Sequence, residues 1–395
     1  MKRLGLLGLA IALPLTVNAA PQNAWITIGT DIAQHLESKN FLPTLGNISG
    51  KDSVILEATP EMIKEIHHIG HSKFKRCGGY FFHESKQEAL SFAEDENSEK
   101  QTMNTIFADY TIDQGTIVES LVAEAKASHI LATITHLSSY KDRYFQTTTG
   151  IQSMEWIKEK WEKLSSARSD VKVELFHHAS WKQPSVIMTV EGKSSDIIIV
   201  GGHGDSIAKD WMGNLKKAPG ADDNASGIGS MTEIIRVLMD GNYIPEKTLK
   251  FMAYAAEEVG LRGSKEIARR FKKEGRNVIG VLQLDMTNNH VSPKNIYMIS
   301  DHTNRAQNQF LGSLLDRYVH VSWGNDRCGY ACSDHASWTA SGYPASMPAE
   351  GRLNDMMNKG ALHTPRDTVS FYGNRADHAL KFTKLGLAFV VELDR

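Results

Sequence analysis

Cysteine is scarce in this chain, three among 395 residues. So few thiols exclude a disulfide-built scaffold, and no two are spaced CxxC as a thiolate zinc cage requires. Cys328 and Cys332 are still close enough in sequence to pair if the compartment is oxidising. An excess of charge of either sign is missing too, because 44 Lys and Arg nearly cancel 46 Asp and Glu. That removes the cationic field used to neutralise nucleic-acid phosphates or to dock on anionic membranes, so neither is expected as a partner. Beyond the first twenty residues no uncharged apolar run reaches the roughly 20 residues that span a bilayer. Internal repeats and low-complexity tracts are also lacking. What is present is globular mass: 41% hydrophobic residues, seven Trp and 23% charged residues. Such a length suits one large domain of roughly 250 to 300 residues with an appendage.

The N-terminus reads as an export signal. Lys2 and Arg3 precede an apolar run from Leu4 to Leu15, and small residues follow at Val17-Asn18-Ala19-Ala20. The run is too short for a membrane anchor, so cleavage is expected after Ala19, giving segment 1–19 as signal peptide and a secreted product. Residues 20–110 differ in character, carrying His67, His68, His71, Cys77 and His83, then Glu94-Asp95-Glu96-Asn97-Ser98-Glu99. The histidines lack a metal-binding spacing and are taken as surface residues; the acidic run is taken as a solvated linker.

From about residue 111 to 395 the pattern is that of an α/β domain. Ile151, Met154, Ile157, Trp161 and Leu164 fall three and four apart and predict a helix. The stretches 171–176, 186–190, 197–200, 249–253, 278–284 and 296–299 are short, β-branched and bounded by polar residues or Gly, as buried strands are. Ile228, Met231, Ile235 and Leu238 mark another helix, and 380–393 a closing one. Strands alternating with helices predict a mainly parallel twisted sheet with helices on both faces.

Three of those strands end in groups that bind cations. Segment 197–200 leads into Gly201-Gly202-His203-Gly204-Asp205, 249–256 into Glu257-Glu258, and 278–284 into Asp285, while Asp222-Asp223-Asn224 precede the Ile228 helix. Open α/β sheets bind ligands at the carboxyl ends of their strands. At least five carboxylates in one mouth would repel and raise one another's pKa unless cations joined them. Two divalent ions bring four positive charges, which three ligand carboxylates and a hydroxide balance, and imidazole among the donors favours zinc, with cobalt or manganese as substitutes. Asp205 is placed to accept the second imidazole N–H of His203. Asp222 is expected to cap the helix rather than to ligate. Residues alone do not order Glu257 and Glu258; adjacent extended residues point apart, so both cannot serve one ion.

The strings "GGHGDS", "APGADDNASGIGSMTEIIRVL", "FMAYAAEEVGLRGS", "LQLDMTN", "CGYACSDHASW" and "NDMMNKGALHT" resemble the secreted bacterial leucyl aminopeptidases, co-catalytic di-zinc metallo-exopeptidases, over about residues 115–393. The resemblance implies two Zn²⁺, with Asp223 bridging them, His203 and Asp285 completing one ion's ligands, and Glu258 and His363 the other's. It makes Glu257 the general base, Tyr330 an oxyanion donor, and Cys328 and Cys332 a disulfide that stiffens the loop carrying Tyr330. Its substrate pocket falls on Met286, Ile299, Cys328, Cys332, Met347, Leu353, Met356 and Leu362. The stretch between Met347 and His363, where relatives carry large aromatics, here has Ala349, Leu353 and Met356.

The implied whole is an exported zymogen that removes the N-terminal residue, Leu or another apolar one, from peptides. Residues 20–110 become its propeptide, a processing protease its partner, and a monomer its expected state. Two alternatives stay open. One is a carboxypeptidase, with Arg352 to hold a terminal carboxylate, or a single-zinc aminoacyl cyclase on the same sheet. The other is a binding module that has lost its chemistry.

Overall fold

The structure is a computed structural model that describes residues 23–38, 53–74, 79–83, 85–97, 111–208 and 214–395. The expected signal peptide and Cys77 lie outside them.

The N-terminal unit contains β1 (Ala24–Gly29), α1 (Thr30–Ser38), β2 (Ser53–Ala58), α2 (Pro60–Ile69), β3 (Tyr80–His83) and α3 (Lys86–Asn97). Its three strands form an antiparallel sheet in the order β2-β1-β3, with Ile26 opposite both Leu56 and Phe82. Thr59 starts α2, its side chain accepting the Met62 N–H (3.2 Å), with Pro60 in the first turn, where a missing N–H costs nothing. One face of the sheet buries Ile26, Ile28, Val54 and Leu56 against Ile32, Leu36, Ile66 and Ile69.

Two expectations fail here. His67 and His83 are interior rather than surface residues, 5% and 1% exposed. His67 shares the inner side of α2 with Ile66 and Ile69, and the His83 Nε2 lies 2.7 Å from the Thr27 hydroxyl. An imidazole with one polar contact fits a core as well as a surface, so its spacing in sequence did not separate the two. The acidic run is also not linker from its start, because Glu94 to Asn97 continue α3.

The larger domain follows with α4 (Gly115–Glu124), α5 (Ala127–Leu137), α6 (Thr148–Leu164), β4 (Val171–Phe176), β5 (Ser185–Val190), β6 (Ser194–His203), α7 (Ala225–Asp240), β7 (Lys247–Tyr254), α8 (Arg262–Lys273), β8 (Val278–Gln283), β9 (Ile296–Ile299), α9 (Arg305–Leu314), β10 (Trp323–Asp326), α10 (His335–Ala340), β11 (Ala345–Ser346), β12 (Pro348–Ala349), α11 (Leu353–Lys359) and α12 (Ala379–Leu393). A six-stranded sheet runs β11-β8-β6-β7-β5-β4, parallel from β11 to β7 and antiparallel at β5 and β4. A smaller sheet, β10-β9-β12, stands beside it. The central strand β6 is apolar on both faces because helices cover both. Ile198 and Val200 enter one core with α7 and α12, while Ile197 and Ile199 enter a second with Ile267 and Phe271 of α8. This is the mainly parallel, doubly covered sheet that the strand and helix periodicities predict.

Candidate metal centre

β8, β6 and β7 lie side by side and parallel, so their carboxyl ends open on one rim. His203 is the last residue of β6; Glu257 and Glu258 form a short 3₁₀ turn just past β7; Asp285 lies just past β8. Ala256 (φ 56°) and Leu261 (φ 57°) bracket the glutamate turn in the left-handed region, at a cost of about 1–2 kcal/mol per non-glycine residue.

Asn224 links the α7 start to the same rim. Its Oδ1 accepts the Gly227 N–H (2.9 Å) and the Met286 N–H (3.2 Å), and its Nδ2 donates to the Leu284 carbonyl (2.9 Å). Asn224, not Asp222, is therefore the helix cap. Asp222 instead accepts the Asn288 N–H (3.0 Å) and faces Glu350, where burial raises its pKa to about 6. Gly227 and Gly202 are required by close approach, since a Cβ at either would stand 2.3 or 2.7 Å from the Leu284 carbonyl oxygen.

The donors converge in two triads that share Asp223: His203, Asp223 and Asp285, and Asp223, Glu258 and His363. The His203 Nε2 is 3.1 Å from Asp223 Oδ1 and 3.2 Å from Asp285 Oδ1; the His363 Nε2 is 3.1 Å from Asp223 Oδ2 and 3.0 Å from Glu258 Oε2. All five residues are buried. Asp285 is steadied by the Ser333 hydroxyl (2.6 Å). The carboxylate of Asp205 lies 3.5 Å from the His203 Nδ1, but that nitrogen's hydrogen bond runs to the main-chain carbonyl of Asp205 (3.1 Å). The carboxylate accepts the N–H groups of Glu257 (3.0 Å) and Glu258 (3.2 Å), so it sets the glutamate turn as well as the imidazole.

The arrangement lacks charge balance without a cation. Among the described residues neither buried oxygen of Glu257 finds a hydrogen-bond donor, and the buried carboxylates of Asp223 and Glu258 are met by the imidazoles of His203 and His363. Burial, reinforced by the neighbouring acids, raises Glu257 well above the usual carboxylate range and Glu258 to about 7. Burial alone would lower His363, yet Glu258 and Asp223 raise it to about 10. Divalent ions would relieve these strains together, giving the carboxylates their counter-charge and leaving the imidazoles neutral donors. Nitrogen and carboxylate oxygen in sets of three fit zinc rather than calcium or magnesium.

The eight expected pocket residues also come together. Met286, Ile299, Cys328, Cys332, Met347, Met356 and Leu362 form one buried apolar cluster with Tyr330, and Leu353 packs against it. Cys328 and Cys332 are disulfide-bonded, and Asp301 accepts the N–H groups of Cys328 (3.0 Å) and Gly329 (2.6 Å), fixing the Tyr330 loop. Arg352 is exposed and lies over the Tyr297 ring, 5.6 Å from its centroid.

A second constellation, Ser185–His178–Glu266 at 2.8 and 2.7 Å, mimics a nucleophile triad. Ser185 is fully buried and its hydroxyl accepts the Ala255 N–H, so no substrate meets it. Motif spacing did not single out Arg143, Ser333, Asp334, Glu350 or Asp367, all buried around the centre. Nothing in the local sequence around Arg143 separates it from surface charge; Asp367 carried a faint signal, four residues after His363.

Residues 185–387 match the model of peptidase family M28. The chain belongs to that family. That membership, together with the leucine aminopeptidase relatives, makes it a zinc metallo-aminopeptidase, a hydrolase of peptides with free N-termini. Over 282 residues it is 34% identical to a probable leucine aminopeptidase of Arthroderma otae, covering 70% of this chain and 76% of the relative. Its fold is similar to solved structures of Legionella pneumophila: LapB (TM-score 0.78, 27% identity, 94% of this chain and 100% of that one) and the LapA aminopeptidase (TM-score 0.76, 26% identity, 95% and 99%). The Arthroderma match covers less of the chain than the Legionella ones. A 94% coverage leaves about 24 residues unmatched, so the Legionella likeness extends through most of the N-terminal unit.

Proposed function

We propose that the chain is a di-zinc aminopeptidase that removes an apolar N-terminal residue, leucine or one of similar size, from peptides. The observation that carries this reading is the pair of buried ligand triads sharing Asp223, with the unliganded Glu257 beside them. His203 and Asp285 would hold one ion, Glu258 and His363 the other, and Asp223 both. Bound there, zinc supplies Lewis-acid polarisation of the scissile carbonyl and lowers the pKa of water.

The protein's own residues do the rest. Glu257 takes a proton from the attacking water and returns it to the departing amine, and its burial raises its affinity for that proton. Tyr330 donates toward the oxyanion from its fixed loop. The cluster of Met286, Ile299, Met347, Leu353, Met356 and Leu362 receives the substrate side chain. Asp205 keeps the glutamate turn in register with His203. Arg352, exposed and stacked on Tyr297, offers no buried clamp for a terminal carboxylate, which favours an aminopeptidase over a carboxypeptidase.

In the same reading residues 1–19 direct export, 20–110 are a propeptide and 111–395 the catalytic domain. Support comes from where the N-terminal unit docks. The Tyr80 hydroxyl donates to the Val259 carbonyl (3.1 Å), the residue after Glu258; Lys265 contacts the Phe82 carbonyl and pairs with Glu88 (2.6 Å). Phe81 and Phe92 pack with Leu261, Ala331 and Ala336, between the glutamate turn and the Tyr330 loop.

A panel of aminoacyl anilides with the 111–395 domain tests the activity. Cleavage of Leu and Met anilides, abolished by chelator, restored by zinc and blocked by N-acetylation of the substrate, is expected. Cleavage indifferent to N-acetylation would refute an aminopeptidase.

A further inference from the structure

The loops that carry His203 and Asp223 are joined by a residue outside both triads. Arg143, between α5 and α6, is fully buried. Its Nε donates to the Gly204 carbonyl (2.9 Å), next to His203; its Nη1 to the carbonyls of Leu137 (3.2 Å) and Pro219 (2.5 Å); its Nη2 to that of Gly220 (2.9 Å). Four of its five N–H groups thus go to main-chain carbonyls rather than to a carboxylate. The segment 219–223 is gripped on its other side by Asp367. That carboxylate accepts the N–H groups of Asp222 (2.9 Å) and Asp223 (3.2 Å), and its main-chain carbonyl accepts that of Ala221 (3.2 Å). Gly220 (φ 54°) has no room for a side chain, since a Cβ would stand 2.4 Å from the Asp223 carbonyl and 2.7 Å from the Arg143 Nη2.

A buried guanidinium without a touching carboxylate is costly and persists only where the surroundings favour its charge. Burial lowers the affinity of Arg143 for its proton, and Asp367, Asp223, Asp205 and Glu258 oppose that effect. The arginine faces the acids of the centre through space while holding their backbone in place. A planar fork reaches three separate loops; an ammonium on the same stem is a point donor and would not. Gln183 returns a hydrogen bond to the Arg143 carbonyl (2.9 Å), and the Ser206 hydroxyl accepts the Arg143 N–H (3.1 Å) while donating to Ala218 (2.8 Å), so the clamp is itself clamped.

We propose that Arg143 is a positioning residue of the metal centre: by tying Gly204 to Pro219 and Gly220 it fixes the spacing between His203 and Asp223, and so the ion held by His203, Asp223 and Asp285. This inference rests on the two-ion reading above. It also predicts an asymmetry: Asp223 is common to both triads, but of the unshared ligands only His203 sits on a loop that Arg143 holds, so the ion of His203 and Asp285 loses more than that of Glu258 and His363.

Stepwise zinc release from the full chain into a chelator of graded strength tests it, with thermal unfolding of the zinc-free proteins measured alongside. In R143K one zinc equivalent should leave at chelator concentrations about 10–100-fold lower than in the wild type, the range typical when a residue behind a ligand is lost, while the second equivalent shifts by less. S206A, which removes one support of the clamp with little volume change, should move the same equivalent by less, and it carries the test if R143K fails to fold. Release curves of both variants that match the wild type would overturn the proposal. So would a loss shared equally by both equivalents and tracking the thermal shift, which would make Arg143 a general support of the fold. A wild type that holds fewer than two zinc ions would bring down the two-ion reading, and this inference with it.

Discussion

The N-terminal unit and the larger domain are both α/β, yet they treat acidic side chains in opposite ways. No Asp or Glu of the N-terminal unit from Asp31 to Glu88 whose side chain is described is buried; the larger domain buries Asp205, Asp222, Asp223, Glu257, Glu258, Asp285, Asp334, Glu350 and Asp367 around one rim. The first unit is built around apolar clusters, and the polar groups it buries, Thr27, Ser53, His67 and His83, carry no carboxylate. The second has an interior that its own donors cannot satisfy. Chemistry belongs where a fold leaves buried polar groups without partners, and that contrast separates the two units more cleanly than their secondary structure does.

The contrast breaks first at Glu257. Glu257→Gln should keep both zinc ions and lose on the order of 10²–10⁴ in kcat; unchanged turnover would remove Glu257 from proton transfer. His363→Ala should instead strip one zinc equivalent under dialysis that leaves the wild type fully loaded, and full retention of both would dissolve the second triad.

The docking surface comes next. Lys265 is nearly buried and meets Glu88 at 2.6 Å, with Arg269 at 3.6 Å from the same carboxylate. Glu88→Lys should loosen the N-terminal unit by about 1–3 kcal/mol, seen as faster proteolysis of 23–97 and higher activity of the uncleaved chain. Equal activity in the variant, the wild type and the isolated 111–395 domain would end the propeptide reading.

The smallest effect is on stability against pH. Burial holds His335 and His378 of the larger domain down to about 3. The unfolded chain then binds more protons than the folded one between about pH 3 and 6.5, so their contribution is complete above 6.5 and erodes as the pH falls. Urea unfolding should show stability falling on the order of 1 kcal/mol per pH unit for each ring below that point, and His335→Gln or His378→Gln should flatten the slope.

The sequence foretold five of the six strands of the larger sheet, all but the two-residue β11, and the residues at their tips, because short β-branched apolar runs and their polar ends are local properties. It was silent on what depends on distant segments. His83 is interior because Thr27 lies across the sheet to receive it. Asn224 took the capping role expected of Asp222 because the Leu284 carbonyl stands within reach of Asn224. Asp205 looked like a partner for the imidazole alone until the glutamate turn, fifty residues on, was seen against its carboxylate. Arg143 gave no local sign, since its partners are carbonyl oxygens, which every residue has.

Gly202 and Gly227 both face the Leu284 carbonyl with no space for a methyl group. They answer to shape and the acids answer to reactivity. A descendant that had given up hydrolysis could shed Glu257 and His363 without disturbing how strand and helix meet, yet neither glycine could change without prising them apart. Finding those glycines in some other chain would therefore announce a shared architecture and leave open whether it still cuts anything.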